Sequence, residues 1–95
     1  MTGSAERTRV RAIVRGDVQG VGFRYFVQRR AWQEALAGWV RNRPDGTVEC
    51  VAQGPREAID RLLTALREGP AMAGVDGVDE RWEPAQPGLE GFDVI

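Results

Sequence analysis

A chain of 95 residues has the size of one domain, and a domain this small buries too little surface for two independent cores. Its composition, 42% hydrophobic and 28% charged, excludes a disordered chain, and no apolar run approaches membrane-spanning length. Charge is divided unevenly: residues 1–47 hold nine arginines against four acidic residues and residues 48–95 hold four against ten, so the first half attracts anions.

The histidine and cysteine counts limit the catalytic groups that are available and indicate the redox compartment. Histidine is absent, which excludes the commonest general base and the commonest zinc ligand. The single cysteine, Cys50, cannot form an internal disulfide and is expected to be a small strand residue in a reducing compartment. Residues 1–8 are polar and lack the apolar stretch of a secretory signal. We therefore expect a flexible arm over 1–8 and a single domain over 9–95 in a cytoplasmic protein.

The first predicted elements are a strand and a helix joined by a glycine-rich loop. Apolar residues occupy every second position of the segment Arg9–Arg15, and this period of two predicts a half-buried strand. Its inward residues are Val10, Ala12 and Val14. After Gly16–Gly22, apolar residues recur at helical spacing and predict a helix from Phe23 to near Ala35.

A β-hairpin and a second helix follow. Strands are predicted over Trp39–Asn42 and Thr47–Gln53, with turn signals over Arg43–Gly46 between them. The second helix opens with Pro55 at its first helical position and stops at Gly69-Pro70. Its predicted buried stripe consists of Ala58, Ile59, Leu62, Leu63 and Leu66.

The last part of the chain carries weaker signals. Apolar residues over Val75–Trp82 suggest a fourth strand, and Gly91–Ile95 suits a short final strand. Pro84 and Pro87 bracket a loop between them. The order β-α-β-β-α-β predicts a ferredoxin-like α+β fold of the split β-α-β type. In this fold an antiparallel sheet of four to five strands has its first and third strands in the centre and both helices on one face.

The loop Gly16–Arg24 is the strongest candidate for a binding site. It joins a strand to a helix N-terminus, where unpaired amides and the helix dipole favour an anion. Gly20 and Gly22 remove side chains that would keep an anion from the backbone, so the amides from Gln19 onward are able to form a nest around phosphate oxygens. Neither the Rossmann nor the Walker pattern is present, which disfavours a nucleotide. A structural tight turn has the same glycine pattern and stays open as an alternative.

Two polar side chains accompany this loop. Arg24 stands in the first helical turn, where a cation opposes the dipole by about 0.3–1 kcal/mol, and its guanidinium suits a bidentate clamp on the same phosphate. Asn42 ends its strand on the same face as Val40, so its amide needs a partner. Capping of the following turn is the alternative role for Asn42.

No metal or cofactor is expected from the remaining residues. The acidic residues Asp17, Asp45 and Glu49 show no recognisable ligand spacing and are interpreted as solvated surface charges. The aromatic residues Trp39 and Trp82 are interpreted as packing residues rather than as residues that stack on a substrate.

Four motifs in register resemble those of the acylphosphatase family. They are Gly16-x-Val18-Gln19-Gly20-Val21-Gly22-Phe23-Arg24, Gly38-Trp39-Val40-Arg41-Asn42, Asp45-Gly46-x-Val48-Glu49 and Gly69-Pro70. One departure is Ala35, where the family often has glycine, and it bears on how the first helix ends. The resemblance implies a fifth strand on the edge beside the second strand.

The resemblance also implies an activity and the residues that perform it. The activity is metal-independent hydrolysis of a small acyl phosphate to a carboxylate and inorganic phosphate. Phosphate binding is implied for Gln19, Gly20, Val21, Gly22, Phe23 and Arg24. The implied catalytic residues are Arg24, which binds the phosphate, and Asn42, which positions the water. A carboxylate leaving group needs no general acid, which suits a chain without histidine.

Two other functions stay open. The same fold serves as a non-catalytic phosphate or RNA-binding module, although Arg9–Arg15 and Thr47–Gln53 lack the aromatic residues on which RNA bases stack. A domain of acylphosphatase type also assists carbamoyl-phosphate chemistry inside a larger maturation protein, but no linker to a further domain is recognisable here. We expect a monomeric enzyme that binds a small acyl phosphate and has no nucleic-acid or membrane partner.

Overall fold

A computed structural model describes residues 7–95 of the chain. Two helices and five strands occur in the order β-α-β-β-α-β-β. They are β1 (Arg7–Asp17), α1 (Phe23–Gln33), β2 (Ala37–Asn42), β3 (Val48–Pro55), α2 (Arg56–Glu68), β4 (Gly74–Pro84) and β5 (Phe92–Val94). Within these residues, neither helix is long and apolar enough to cross a membrane.

The five strands form one sheet in the order β4-β1-β3-β2-β5. The central position of β1 and β3 confirms the prediction, and the four strands β1 to β4 pair antiparallel. The edge strand β5 lies beside β2, as the family resemblance implies, but it runs parallel to β2, so the sheet is mixed. The reason is the chain path. Because β4 ends at the edge of the sheet where β2 begins, the connection over 85–91 crosses that edge and β5 starts beside the start of β2.

Both helices pack on one face of the sheet and share one hydrophobic core with it. Full burial of Val10, Ala12 and Val14 confirms the alternation predicted for β1. The buried residues of α2 include the whole predicted stripe, and α1 contributes Phe23 and Val27. Cys50 is buried in the same core, and desolvation raises the pKa of its thiol to about 12. The ferredoxin-like α+β fold predicted from the element order is therefore confirmed.

Several predicted boundaries differ from the observed ones. Strand β1 begins at Arg7, so two residues of the predicted arm belong to the strand, while residues 1–6 lie outside the described part of the chain. Strand β3 continues to Pro55, because its pairing with β1 extends beyond the predicted end. Pro55 is thus the extended N-cap of α2 (φ −62°, ψ 143°), and the first helical residue is Arg56. Strand β4 pairs with β1 over Gly74–Pro84, which is longer than its apolar residues suggest.

Helix α1 ends in a left-handed residue that is not glycine. Ala35 has φ 54°, and its N–H donates to the Trp32 carbonyl at 3.1 Å. The N–H of the next residue, Leu36, donates to the Ala31 carbonyl at 2.9 Å. This pair of bonds is the Schellman arrangement, which usually places glycine at the left-handed position. Alanine therefore keeps the usual geometry of this helix end, at a steric cost of about 1–2 kcal/mol.

Candidate functional site

Two left-handed glycines shape the loop between β1 and α1. Gly20 and Gly22 have φ of 76° and 79°, a conformation that residues with a Cβ atom avoid. A Cβ atom at either position would meet no atom within 4 Å. Glycine is therefore required for the backbone angle and not for space. The resulting curl leads directly into α1, whose N-cap is Gly22.

The backbone amides of this curl are unpaired. The first backbone bond of α1 runs from the Phe26 N–H to the Gly22 carbonyl at 3.1 Å, and no side chain caps the helix. Within the described chain, the N–H groups of residues 19–25 donate no hydrogen bond to another protein atom. Unpaired amides at a helix N-terminus carry partial positive charge, so the curl favours an anion.

A small cavity of about 70 Å³ lies at this helix N-terminus. Its lining residues are Val18, Gly20, Gly22, Phe23, Arg24, Tyr25 and Asn42. The predicted site residues other than Gln19 and Val21 thus meet here, and Asn42 joins them from the end of β2. Val21 packs against the core instead. Sequence reasoning did not identify Tyr25, although its place in the first turn of α1 is a signal that points to it.

Arg24 lines the cavity and pairs with no Asp or Glu side chain among residues 7–95. Its Nη1 donates to the carbonyl oxygen of Ile95 at 3.3 Å. Helix α1 has no acidic residue in its first turn, so no side chain of that turn compensates the unfavourable position of this cation in the helix dipole. A bound anion between the guanidinium and the free amides would supply that compensation.

Asn42 lines the same cavity and has an unsatisfied buried acceptor. It is the last residue of β2, and its neighbour on the inward face, Val40, is fully buried. The Oδ1 atom of Asn42 is buried and has no hydrogen-bond donor among the described residues. A buried acceptor without a donor costs about 1–3 kcal/mol. A small polar molecule that donates to Oδ1 would remove this cost.

The Gln19 side chain fastens the loop to the turn between β2 and β3. Its Nε2 donates to the carbonyl oxygens of Arg43 and Thr47 at 2.8 and 2.9 Å. The turn is itself ordered by Asp45, whose carboxylate accepts from the Oγ1 and the N–H of Thr47, and these bonds lower the pKa of Asp45. Since Asn42 directly precedes this turn, Gln19 sets the position of the loop relative to Asn42. Sequence reasoning missed this role, because no local pattern marks a contact between distant residues.

The open face of the sheet, opposite the helices, has a larger depression of about 400 Å³ that is lined by arginines and acidic residues. Glu49 is 5% exposed there and accepts hydrogen bonds from Arg11 at 2.5 Å and Arg41 at 2.7 Å. Its interpretation as a solvated surface charge is therefore wrong. Trp39 packs beside the same two guanidinium groups. Because Arg11 and Arg41 already have a carboxylate partner in Glu49, this face is a weaker candidate for an anion site than the loop.

Comparison with known proteins agrees with this assignment of the fold. A sequence model of the family described as Acylphosphatase matches residues 10–94. The chain is 47% identical over 90 residues to an acylphosphatase of Nocardia farcinica, which covers 95% of this chain and 90% of that protein. The crystal structure of acylphosphatase from Bacillus subtilis matches with a TM-score of 0.90 at 41% identity, over 93% of this chain and 98% of that one.

A longer protein contains a similar part. HypF of T. kodakarensis matches with a TM-score of 0.81 at 32% identity over 93% of this chain, but only 12% of the HypF chain is covered. The family match, by contrast, spans β1 to β5 and includes the loop, α1 and the β2–β3 hairpin that form the cavity. The chain belongs to the acylphosphatase family.

Proposed function

We propose that the cavity at the N-terminus of α1 is the active site of this acylphosphatase. The activity is hydrolysis of an acid anhydride: water cleaves the carboxyl–phosphate bond of an acyl phosphate and yields a carboxylate and inorganic phosphate. The amides of residues 19–23 and Arg24 bind the phosphoryl group, and Asn42 positions the water. The observation that carries this proposal is the cavity that Asn42, whose buried Oδ1 has no partner among the described residues, shares with Arg24 and the glycine loop.

Phosphoryl binding depends on positive charge that is already in position. The backbone angles of Gly20 and Gly22 orient the amides before the substrate arrives, so their dipoles need no reorganisation during the reaction. Arg24 adds a guanidinium that is able to bind two phosphate oxygens. The transition state of phosphoryl transfer is loose, and its charge spreads over the peripheral oxygens. Stabilisation of that charge is therefore the main contribution of the loop.

The leaving group needs little assistance. A carboxylate departs readily because the pKa of its conjugate acid is about 4. No general acid has to protonate it, which suits a chain that contains no histidine. The bond between the phosphorus and the carboxyl oxygen breaks as the bond from water forms, and the electron pair leaves with the carboxylate.

Asn42 positions the attacking water but does not remove its proton. An amide is too weak a base to deprotonate water, so a phosphate oxygen takes the proton. The Oδ1 of Asn42 accepts a hydrogen bond from the water and fixes its approach in line with the departing carboxylate. The Gln19 side chain maintains the geometry by holding the loop against the β2–β3 turn.

Two substitutions separate these roles, with acetyl phosphate as substrate and a chelator present. Arg24→Ala is expected to lower kcat/KM about 100-fold or more and to weaken competitive inhibition by inorganic phosphate. Asn42→Ala is expected to lower kcat by a similar factor and to keep the phosphate inhibition, because its amide holds water. Arg29→Ala, at an exposed arginine of the same helix, is the matched control and should match the parent.

Other results would contradict the proposal. Loss of phosphate inhibition in Asn42→Ala would show that the division of roles is wrong.

Among residues 7–95, no group of three His, Cys, Asp or Glu side chains is placed to hold a metal. We expect chelator-resistant activity because the amides and Arg24 supply the charge stabilisation, and recovery of a chelated enzyme by a divalent cation would overturn this part.

Two alternative functions predict different results in the same preparation. An RNA-binding module would show tight, salt-sensitive RNA binding without hydrolysis. A domain specialised for carbamoyl phosphate would hydrolyse that compound much faster than acetyl phosphate.

We also propose that the enzyme is a cytoplasmic monomer without nucleic-acid or membrane partners. Sedimentation measures its mass in solution and so tests the monomeric state.

A further inference from the structure

Large exposed apolar side chains are few among the described residues, and one of them, Tyr25, lines the cavity beside Arg24. The large hydrophobic residues that are exposed among those described are Tyr25, Trp32, Met72 and Ile95. Tyr25 follows Arg24 in the chain, lines the cavity and is 58% exposed. Ile95 is 61% exposed, and its carbonyl oxygen accepts the hydrogen bond from Arg24. The exposed ring of Tyr25 therefore borders a cavity whose other groups suit an anion.

No contact of Tyr25 within residues 7–95 gives it a role in stabilising the fold. Its ring is not part of the core, and its hydroxyl makes no hydrogen bond within residues 7–95. Single exposed hydrophobic residues are common on protein surfaces and need no special role. Tyr25 differs from Trp32 on the same helix in one respect, since only Tyr25 lines the cavity.

The chemistry of the substrate supplies a reason for an apolar border. An acyl phosphate is a dianion at one end and a carbon chain or ring at the other. When the phosphoryl group is bound by the amides and Arg24, the acyl group must lie within a few ångströms of the cavity. Ligand sites commonly combine a few polar groups that fix orientation with an apolar surface that adds affinity.

We infer that Tyr25 contacts the acyl group, so that this enzyme prefers acyl phosphates with an aromatic or longer aliphatic acyl group over acetyl phosphate. The inference rests on the proposed function. The surface is open, so the expected selectivity is modest: an aromatic acyl group gains about 5- to 10-fold in kcat/KM, which is less than an enclosed pocket provides.

The test compares benzoyl phosphate with acetyl phosphate. Tyr25→Ala is expected to lower kcat/KM for benzoyl phosphate about 5- to 10-fold, mainly through KM, and to change the value for acetyl phosphate less than 2-fold. Tyr25→Phe keeps the ring and should behave like the parent. Trp32→Ala removes an equally exposed ring from the same helix and should leave both substrates unaffected. Inhibition by inorganic phosphate should be the same in all four proteins, because the phosphoryl site is intact.

Three outcomes would count against the inference. An unchanged ratio of the two substrates in Tyr25→Ala would show that the acyl group lies elsewhere. Equal losses on both substrates, together with weaker phosphate inhibition, would show that Tyr25 supports the loop and does not select the acyl group. A parent protein that hydrolyses neither compound would overturn the proposed function and the inference with it. An active parent with an unchanged ratio overturns the inference alone.

Discussion

Ala35 adopts a backbone conformation that favours glycine, and this gives a prediction at the scale of one residue. Its φ of 54° is the only positive value among the non-glycine residues that the structure describes. Ala35→Gly removes a steric cost of about 1–2 kcal/mol but gives the unfolded chain about 0.5–1 kcal/mol of extra freedom. We therefore expect a net stabilisation of about 0.5–1 kcal/mol, measured by urea unfolding.

The control uses the same change at a position without this conformation. Ala71 is exposed, lies in a turn and has no positive φ. Ala71→Gly should leave stability unchanged or lower it slightly, because only the unfolded state gains from the substitution. A stabilised Ala71→Gly, or an Ala35→Gly variant that is less stable than the parent, would show that strain at this helix end is not significant.

At the scale of elements, the site depends on how the β1–α1 loop is joined to the β2–β3 turn. Gln19→Ala removes two hydrogen bonds to carbonyl groups of that turn, those of Arg43 and Thr47, which keep only their backbone donors, the N–H groups of Gly46 and Arg43. The expected loss of stability is about 1–2 kcal/mol. The loop also becomes free to shift relative to Asn42, so kcat/KM is expected to fall about 10-fold. Unfolding curves and steady-state kinetics measure the two effects separately.

A second glutamine provides the matched control. Gln53 makes a comparable double contact away from the cavity, since it donates to the Gln86 carbonyl at 2.8 Å and accepts from the Gln86 N–H at 2.9 Å. Gln53→Ala should lose similar stability and retain full activity. If Gln53→Ala and Gln19→Ala lose activity equally, the effect reflects general loosening of the fold.

At the scale of the whole molecule, one carboxylate connects three strands on the open face of the sheet. Glu49 of β3 accepts hydrogen bonds from Arg11 of β1 and Arg41 of β2. Burial alone would raise the pKa of Glu49, but the hydrogen bonds from Arg41 and Arg11 outweigh it and hold the pKa below its ordinary value. A carboxyl whose folded pKa is lowered stabilises the fold fully above its unfolded pKa, about 4.3, and this stabilisation is lost as the pH falls through the folded pKa.

Removal of this charge should therefore change how the free energy of unfolding depends on pH. Glu49→Gln is expected to cost about 1–2 kcal/mol at neutral pH, a moderate value because both arginines are partly exposed to solvent. The parent should lose stability more steeply than the variant below about pH 5. Glu90→Gln, at an exposed carboxylate, is the control. Identical acid unfolding of the parent and Glu49→Gln would contradict the role assigned to this network.

The same molecule shows which features a sequence reveals by itself. The alternation in β1 and the stripe of α2 repeat within one element, so local periodicity predicts the core that they form. The contacts of Gln19 and Glu49 join residues of different elements, and no repeating pattern marks them. The parallel direction of β5 was missed for the same reason, because it depends on the path of the chain between distant strands.

The short edge strand β5 also bears on how the enzyme loses activity in denaturant. It is only three residues long, and its neighbouring backbone bonds are those from the Gly38 N–H to the Gly91 carbonyl and from the Ile95 N–H to the Val40 carbonyl. Local opening of such a short segment requires less free energy than global unfolding of the domain. Opening of β5 would remove the Ile95 carbonyl that Arg24 contacts and would withdraw Phe92 from the core, while β1 to β4 stay paired. Under mild denaturant, turnover should then fade before tryptophan fluorescence reports melting, and simultaneous loss of both signals would exclude such local opening.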